Sequence, residues 1–139
     1  MRVVTAAEMN RAVLARQRLL ERSKAPIPRV IEAVGGLQTQ YAPSGYVGLW
    51  SRMNLDHRRH LTAALERATV LQGTLMRGTI HMVSAGDYPA MAAGIRAARR
   101  EWWLRIARSR RLTDVDYEAV AATVMAKLRG GPRHHAESW

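Results

Sequence analysis

Apolar and polar positions along this chain recur mostly at helical spacing. Thr5-Ala6-Ala7-Glu8 is a capping box, in which the hydroxyl and the carboxylate satisfy the first free amides of a helix. Wound at about 100° per residue, Met9, Val13 and Leu20 fall on one side and Arg11, Arg18 and Arg22 opposite. The helix thus offers a core face and an arginine stripe. Arg16 lies beside Met9 and Val13, where it either snorkels outward or pairs with a buried group. Ala25-Pro26-Ile27-Pro28 closes this region, because residues before proline avoid helical backbone. Pro28 suits the first turn of a short second helix over 29–34, and Gly35-Gly36 supplies its stop. Residues 37–43 read as a turn or short connector. A third helix is predicted over 44–53 with Leu49 and Trp50 inward, and a fourth over 56–68 with Leu61 and Leu65 at i, i+4.

Between Thr69 and Val83 the pattern changes. Val70, Leu71, Thr74, Leu75, Thr79, Ile80 and Val83 are β-formers or apolar, and the run predicts two short strands turning near Met76-Arg77-Gly78. Ser84-Ala85-Gly86-Asp87 resembles a second capping box, opening a long helix to about residue 108. Its apolar line is Tyr88, Met91, Ile95, Ala98, Trp102 and Ile106; Trp103 points off that line, as an interface residue or a cover over the Arg-rich face. Thr113-Asp114 is expected to cap a last helix to about residue 128, and the tail beyond Gly130-Gly131-Pro132 has no pattern. The fold class expected is mainly α with a small β-hairpin. Helices followed by a hairpin outline a winged helix-turn-helix domain, and the helices after it form an incomplete second unit. The divisions expected are a first domain over 1–90, a helical extension over 91–129, and a disordered or truncated tail over 130–139.

Length and composition narrow the class. The chain has 139 residues, enough for one domain with its own core. A hydrophobic share of 47% argues against disorder over most of the length. No apolar run approaches the ~20 residues that a bilayer crossing needs. Met1-Arg2-Val3-Val4 has no hydrophobic signal core and cysteine is absent, so a soluble cytoplasmic protein is expected.

Charge changes the picture most. Twenty-two Lys and Arg against eleven Asp and Glu leave a net +11, and all but Lys24 and Lys127 of the cations are arginine. Such an excess favours a polyanionic partner, since neutralising phosphates releases condensed counterions. Arginine also forks onto phosphate oxygens and guanine edges. A solvated, compositionally Arg-rich surface is the competing reading, and an acidic membrane surface a weaker one.

Several chemistries are excluded by what is missing. There is no phosphate-cradling P-loop, no G-x-G-x-x-G turn, no G-x-S-x-G elbow and no cysteine nucleophile. His57 and His60 lie three apart on a predicted helix, but Arg58 and Arg59 stand between them and no carboxylate or thiolate is placed to help. They read as exposed histidines, as does His134-His135 in the tail. No metal and no cofactor is expected.

What remains is Gln38-Thr39-Gln40 and its surroundings. The run from Gly36 through Gln38-Thr39-Gln40-Tyr41-Ala42-Pro43-Ser44 to Leu49-Trp50-Ser51-Arg52 resembles the opening domain of AlkZ/YcaQ-like DNA glycosylases. So do Thr74-Leu75-Met76-Arg77-Gly78-Thr79-Ile80-His81-Met82-Val83-Ser84 and Leu14-Ala15-Arg16-Gln17. The resemblance covers residues 5–90 well and thins beyond. No short piece is specific alone; their order and spacing are. It implies tandem winged helices forming a concave DNA-binding surface. It also implies a monofunctional glycosylase that hydrolyses the N-glycosidic bond of alkylated purines, including bulky N7 adducts and crosslinks. The Gln-x-Gln of the AlkZ branch falls on Gln38 and Gln40, and the glutamine at position 40 sets the chain apart from the YcaQ branch, which is acidic there.

Those residue types suit that chemistry with one restriction. Glutamine does not titrate near neutral pH, so neither can be an ordinary general base. An amide can still orient water, and its carbonyl dipole can face developing positive charge. An N7-alkylated base leaves already carrying a positive charge, so no general acid is needed. Gln38 and Gln40 are therefore the expected catalytic pair. The alternative is that both merely satisfy backbone amides in a tight connector. Arg77 and His81 on the hairpin, with Arg11, Arg18, Arg22 and Arg52, are the expected nucleic-acid contacts. For Arg77 and His81 the alternative is an exposed wing residue and a cross-strand neighbour. Trp50 and Trp102 suit core positions better than base-stacking platforms.

Relatives in that family are much longer, so activity at this length is expected to be incomplete or lost. The partner expected is double-stranded DNA, alkylated or crosslinked, with self-association through a face that the missing units would cover. A non-catalytic winged-helix binding module, such as a transcription regulator, uses the same basic surface and is the alternative, with an inert remnant as a third.

Overall fold

A computed structural model describes residues 3–54, 58–112 and 114–131. The chain divides into two compact units, Met1–Arg99 and Arg100–Trp139. The first unit carries helices α1 (Ala6–Arg16), α2 (Ile27–Ala33), α3 (Ser44–Trp50) and α4 (Arg59–Glu66). It also carries strands β1 (Leu37–Gln38), β2 (Val70–Thr74) and β3 (Ile80–Ser84), joined at Met76–Gly78 by one 3₁₀ turn. Helix α5 (Tyr88–Ser109) runs from the first unit into the second, which also holds α6 (Tyr117–Leu128).

Helix α1 starts as its capping box dictates. Thr5 Oγ1 accepts from the Glu8 amide at 3.2 Å, and Glu8 Oε2 accepts from the Thr5 amide at 2.9 Å. It stops earlier than the apolar spacing suggests. Arg18 takes a left-handed φ of 55°, and the amides of Arg18 and Leu19 return to the carbonyls of Ala15 and Leu14. This is a Schellman closure with arginine where glycine is usual. Arg18, Leu20 and Arg22 therefore lie beyond the helix, and the predicted arginine stripe is broken. The predicted core face is absent too: no residue of α1 is buried, and Met9, Val13 and Leu20 are exposed.

Helix α2 follows the local signals. Pro28 sits in its first turn, Val30 and Ile31 are buried, and the amides of Gly35 and Gly36 close on Glu32 and Ile31. Gly36 has φ 102°, and a Cβ there would stand 3.0 Å from Val83 Cγ1. Only glycine fits that conformation so close to β3. The chain then pairs with β3 as an edge strand where a connector was expected. The sheet order is β1-β3-β2, antiparallel, with Leu37 opposite Met82, Gln38 opposite His81 and Gly73 opposite His81 on the other flank.

The core beneath one face of this sheet comes from every element between α2 and β3: Val30, Ile31, Leu37, Leu49, Met53, Leu61, Ala64, Val70 and Met82. Leu49 is fully buried as expected, and Leu61 with it. Trp50 is not. It is 56% exposed, because the residue after Leu49 lies about 100° further round a short helix. The guanidinium of Arg22 rests 4.6 Å from its ring centroid. The predicted start of α4 at Asp56, and His57, lie outside the described residues.

Ser84 Oγ accepts from the Asp87 amide at 3.1 Å, setting up the start of α5. Tyr88, Met91 and Ile95 are half-buried along the predicted line, but Ala98 is exposed. Further along, Ala107 is buried while Trp102 stays 58% exposed. In the second unit the cap of α6 is Asp116, whose Oδ1 accepts from the amides of Glu118 and Ala119. Asp114 is two residues too early to reach them, and Thr113 lies outside the described residues, as does the tail 132–139 with His134-His135.

Candidate functional site

The Gln-Thr-Gln segment leaves the sheet in an alternating way. Thr39 turns inward and is 3% exposed; its amide donates to the Ile80 carbonyl at 2.8 Å. Its Oγ1 accepts from Gln72 Nε2 on β2 at 3.0 Å, across the intervening strand. With the middle residue fixed at both backbone and side chain, its neighbours point away from the core.

The two glutamines then differ. The side-chain oxygen of Gln40 accepts from the Ile80 amide at 3.0 Å. An N–H can only donate, so the Gln40 atom facing it is the carbonyl and its NH₂ is turned outward. For Gln40 the backbone-satisfying alternative is thus realised. Gln38 is exposed, and its amide makes no side-chain hydrogen bond to the described residues.

Opposite Gln38 stands His81, 6% exposed in the central strand. Its Nδ1 lies 3.0 Å from the Thr79 carbonyl and 3.5 Å from the Thr79 hydroxyl. A carbonyl only accepts, so Nδ1 carries a proton, and in the neutral ring Nε2 is the acceptor. Residues directly opposed across antiparallel strands share a face, so Gln38, His81 and Gly73 form one row. The Tyr88 ring covers the Gly73 end: a Cβ on Gly73 would meet Tyr88 Cε2 at 3.0 Å and its hydroxyl at 3.2 Å.

The expected basic contacts do not converge. Arg77 is exposed at the hairpin turn with φ 53°, and Arg11 is exposed on α1. Arg18 closes α1, and Arg22 covers Trp50. Arg52 is engaged inside the fold. Its Nη1 donates to the Gly48 carbonyl at 2.9 Å and to Ser51 Oγ at 3.2 Å, and its Nη2 to Gln17 Oε1 at 3.2 Å. Burial pushes its guanidinium below the usual arginine range, and its Nε is sealed without a partner.

Residues not singled out from the sequence gather on α4. Leu61 and Ala64 face the core, while Arg59 and Thr62 of the helix and Arg58 and Arg67 at its two ends are exposed. A shallow groove beside them runs between Pro26, Met53, Arg59, Ala63 and Arg67. The signal lies in the adjacent pair Arg58-Arg59, two cations in a row at the start of a predicted helix. Thr39 and Gln72, which position the glutamines, had no legible signal, since their contact spans 33 residues. No cluster of three metal-ligating side chains occurs among the described residues.

These features define a mainly helical domain around a small antiparallel sheet, with an amide-bearing edge strand beside a buried histidine. Residues 31–137 match the family described as DNA glycosylase AlkZ-like, and the chain belongs to that family. The match runs from within α2 through β1, His81 and both later helices. No curated protein and no solved structure matches the chain. Among the described residues no helix is long and apolar enough to cross a membrane.

Proposed function

We propose, against the expectation drawn from length, that this chain binds duplex DNA and itself hydrolyses the N-glycosidic bond of N7-alkylated purines, with Gln38 positioning the attacking water. The observation that carries this reading is the contrast within one segment: Thr39 and Gln40 are held by hydrogen bonds, and the Gln38 amide between them and the sheet is exposed and uncommitted. An uncommitted amide there is free to accept a hydrogen bond from water and to turn its carbonyl dipole toward developing positive charge. Gln40 keeps an outward NH₂ and a second carbonyl lone pair, and serves as the orienting partner.

The DNA-binding part rests on element order and charge. From α2 to β3 the sequence of elements is helix, strand, helix, helix, strand, strand, with β1 joined to the β2–β3 hairpin. That order fits a winged helix-turn-helix, in which α4 is the second helix and enters the major groove. Arg58, Arg59 and Arg67 then meet the duplex, and Arg77 on the hairpin turn meets the backbone. The same α4 face would serve a non-catalytic DNA-binding module, so binding alone does not separate the two readings. Release of 7-methylguanine from a labelled duplex does. Excision by the wild-type chain, lost in the Gln38→Ala, Gln40→Ala double variant, is the expected result. Salt-sensitive binding with no excision by the wild type would leave the binding module.

A further inference from the structure

Hydrolysis needs an acceptor for a proton that no amide can take. Among the described residues, the group opposite Gln38 in the strand ladder is an imidazole with its lone pair unspent. We infer that His81 is the general base of the reaction, an inference that rests on the glycosylase reading above. Three observations converge on it. The ladder places His81 directly across from Gln38, which sets their Cβ atoms roughly 5 Å apart on one face. The Nδ1–H bond to the Thr79 carbonyl fixes the ring and its tautomer, so Nε2 is the acceptor. His81 is 6% exposed and makes its hydrogen bonds through Nδ1, so Nε2 has no hydrogen-bond partner among the described residues.

The surroundings limit where that lone pair can act. Tyr88 closes the row at Gly73, and Gln38 at the other end is exposed on the edge strand. In the proposed reaction the attacking water donates one hydrogen to the Gln38 carbonyl and the other to Nε2. As the C1′–N9 bond breaks, its electron pair neutralises the positive charge of the alkylated purine, which departs. The water oxygen forms the new bond to C1′, and its proton passes to Nε2. Products are an abasic sugar, a neutral 7-alkylpurine and an imidazolium that returns its proton to solvent.

The test uses the 139-residue chain and a duplex carrying one 7-methylguanine, read under single-turnover conditions beside the binding affinity. In His81→Asn the side-chain NH₂ keeps a donor near the Nδ1 position for Thr79 and removes the base. Excision is expected to fall about 10²–10⁴-fold with duplex binding unchanged. His81→Ala is expected to fall likewise and to recover excision when free imidazole is added, which a purely structural role would not allow. Should His81→Asn fail to fold, the imidazole response of His81→Ala decides. Wild-type excision by His81→Asn, or binding and excision lost together without imidazole recovery in His81→Ala, overturns the inference while leaving the glycosylase reading in place. An inactive wild-type chain overturns that reading, and this inference falls with it.

Discussion

The side-chain oxygen of Gln40 accepts the backbone N–H of Ile80 at 3.0 Å, closing the strand pair where β1 ends and β3 begins. Removing it leaves the first ladder amide of β3 without a partner. Gln40→Ala is expected to cost about 1 kcal/mol in urea unfolding and to speed hydrogen exchange at the Ile80 amide. Gln40→Glu keeps an acceptor in place and should protect that amide at the wild-type level. Unchanged exchange in Gln40→Ala would mean the contact does not form in solution.

Gly73 and Tyr88 test the packing that closes the other end of the row. Gly73→Ala would set a methyl 3.0 Å from Tyr88 Cε2, inside ordinary van der Waals contact, so it should destabilise by roughly 1–2 kcal/mol unless the ring shifts. In a Tyr88→Ala background the same change should cost much less, a coupling that a double-mutant cycle measures directly. Equal cost in both backgrounds would remove Tyr88 from this face.

Arg77 combines a left-handed backbone with an exposed charge. Arg77→Gly should raise stability by roughly 0.5–1 kcal/mol, because glycine adopts that conformation without strain. It should also weaken duplex binding and flatten the plot of log affinity against log salt by about one unit. A slope equal to wild type would place Arg77 off the phosphates.

Arg52 behaves oppositely. Its hydrogen bonds to Gly48, Ser51 and Gln17 tie the end of α3 to the end of α1. Arg52→Ala should lower stability by roughly 1–3 kcal/mol while leaving the salt slope of DNA binding near wild type. Arg52→Lys should recover little, since an ammonium cannot reproduce the fork. A reduced salt slope in Arg52→Ala with unchanged stability would reverse this assignment.

Signals confined to a few residues were legible in the sequence: the Thr5–Glu8 box, the Gly35-Gly36 stop, the hairpin turn at Met76–Gly78 and the inward Leu49. Those that depend on a distant partner were not. β1 exists only because β3, more than forty positions on, offers an open edge to Leu37 and Gln38. The end of α1 was hidden because an arginine occupies the left-handed position that composition assigns to glycine. Trp50 looked like a core residue, yet Leu49 had already taken the single inward position there, and Arg22 covers the ring instead. At the site, the two glutamines were visible through family resemblance. Their unequal state was not, because it is set by the Ile80 amide and by Thr39 turning inward onto Gln72.

The most direct measurement is single-turnover release of 7-methylguanine by Gln38→Ala beside the wild-type chain, with duplex affinity determined for both. Loss of the one amide that positions the attacking water is expected to slow excision about 10²–10³-fold, with affinity unchanged. Excision by Gln38→Ala at the wild-type rate would contradict the account, because the exposed amide on β1 would then have no part in the chemistry.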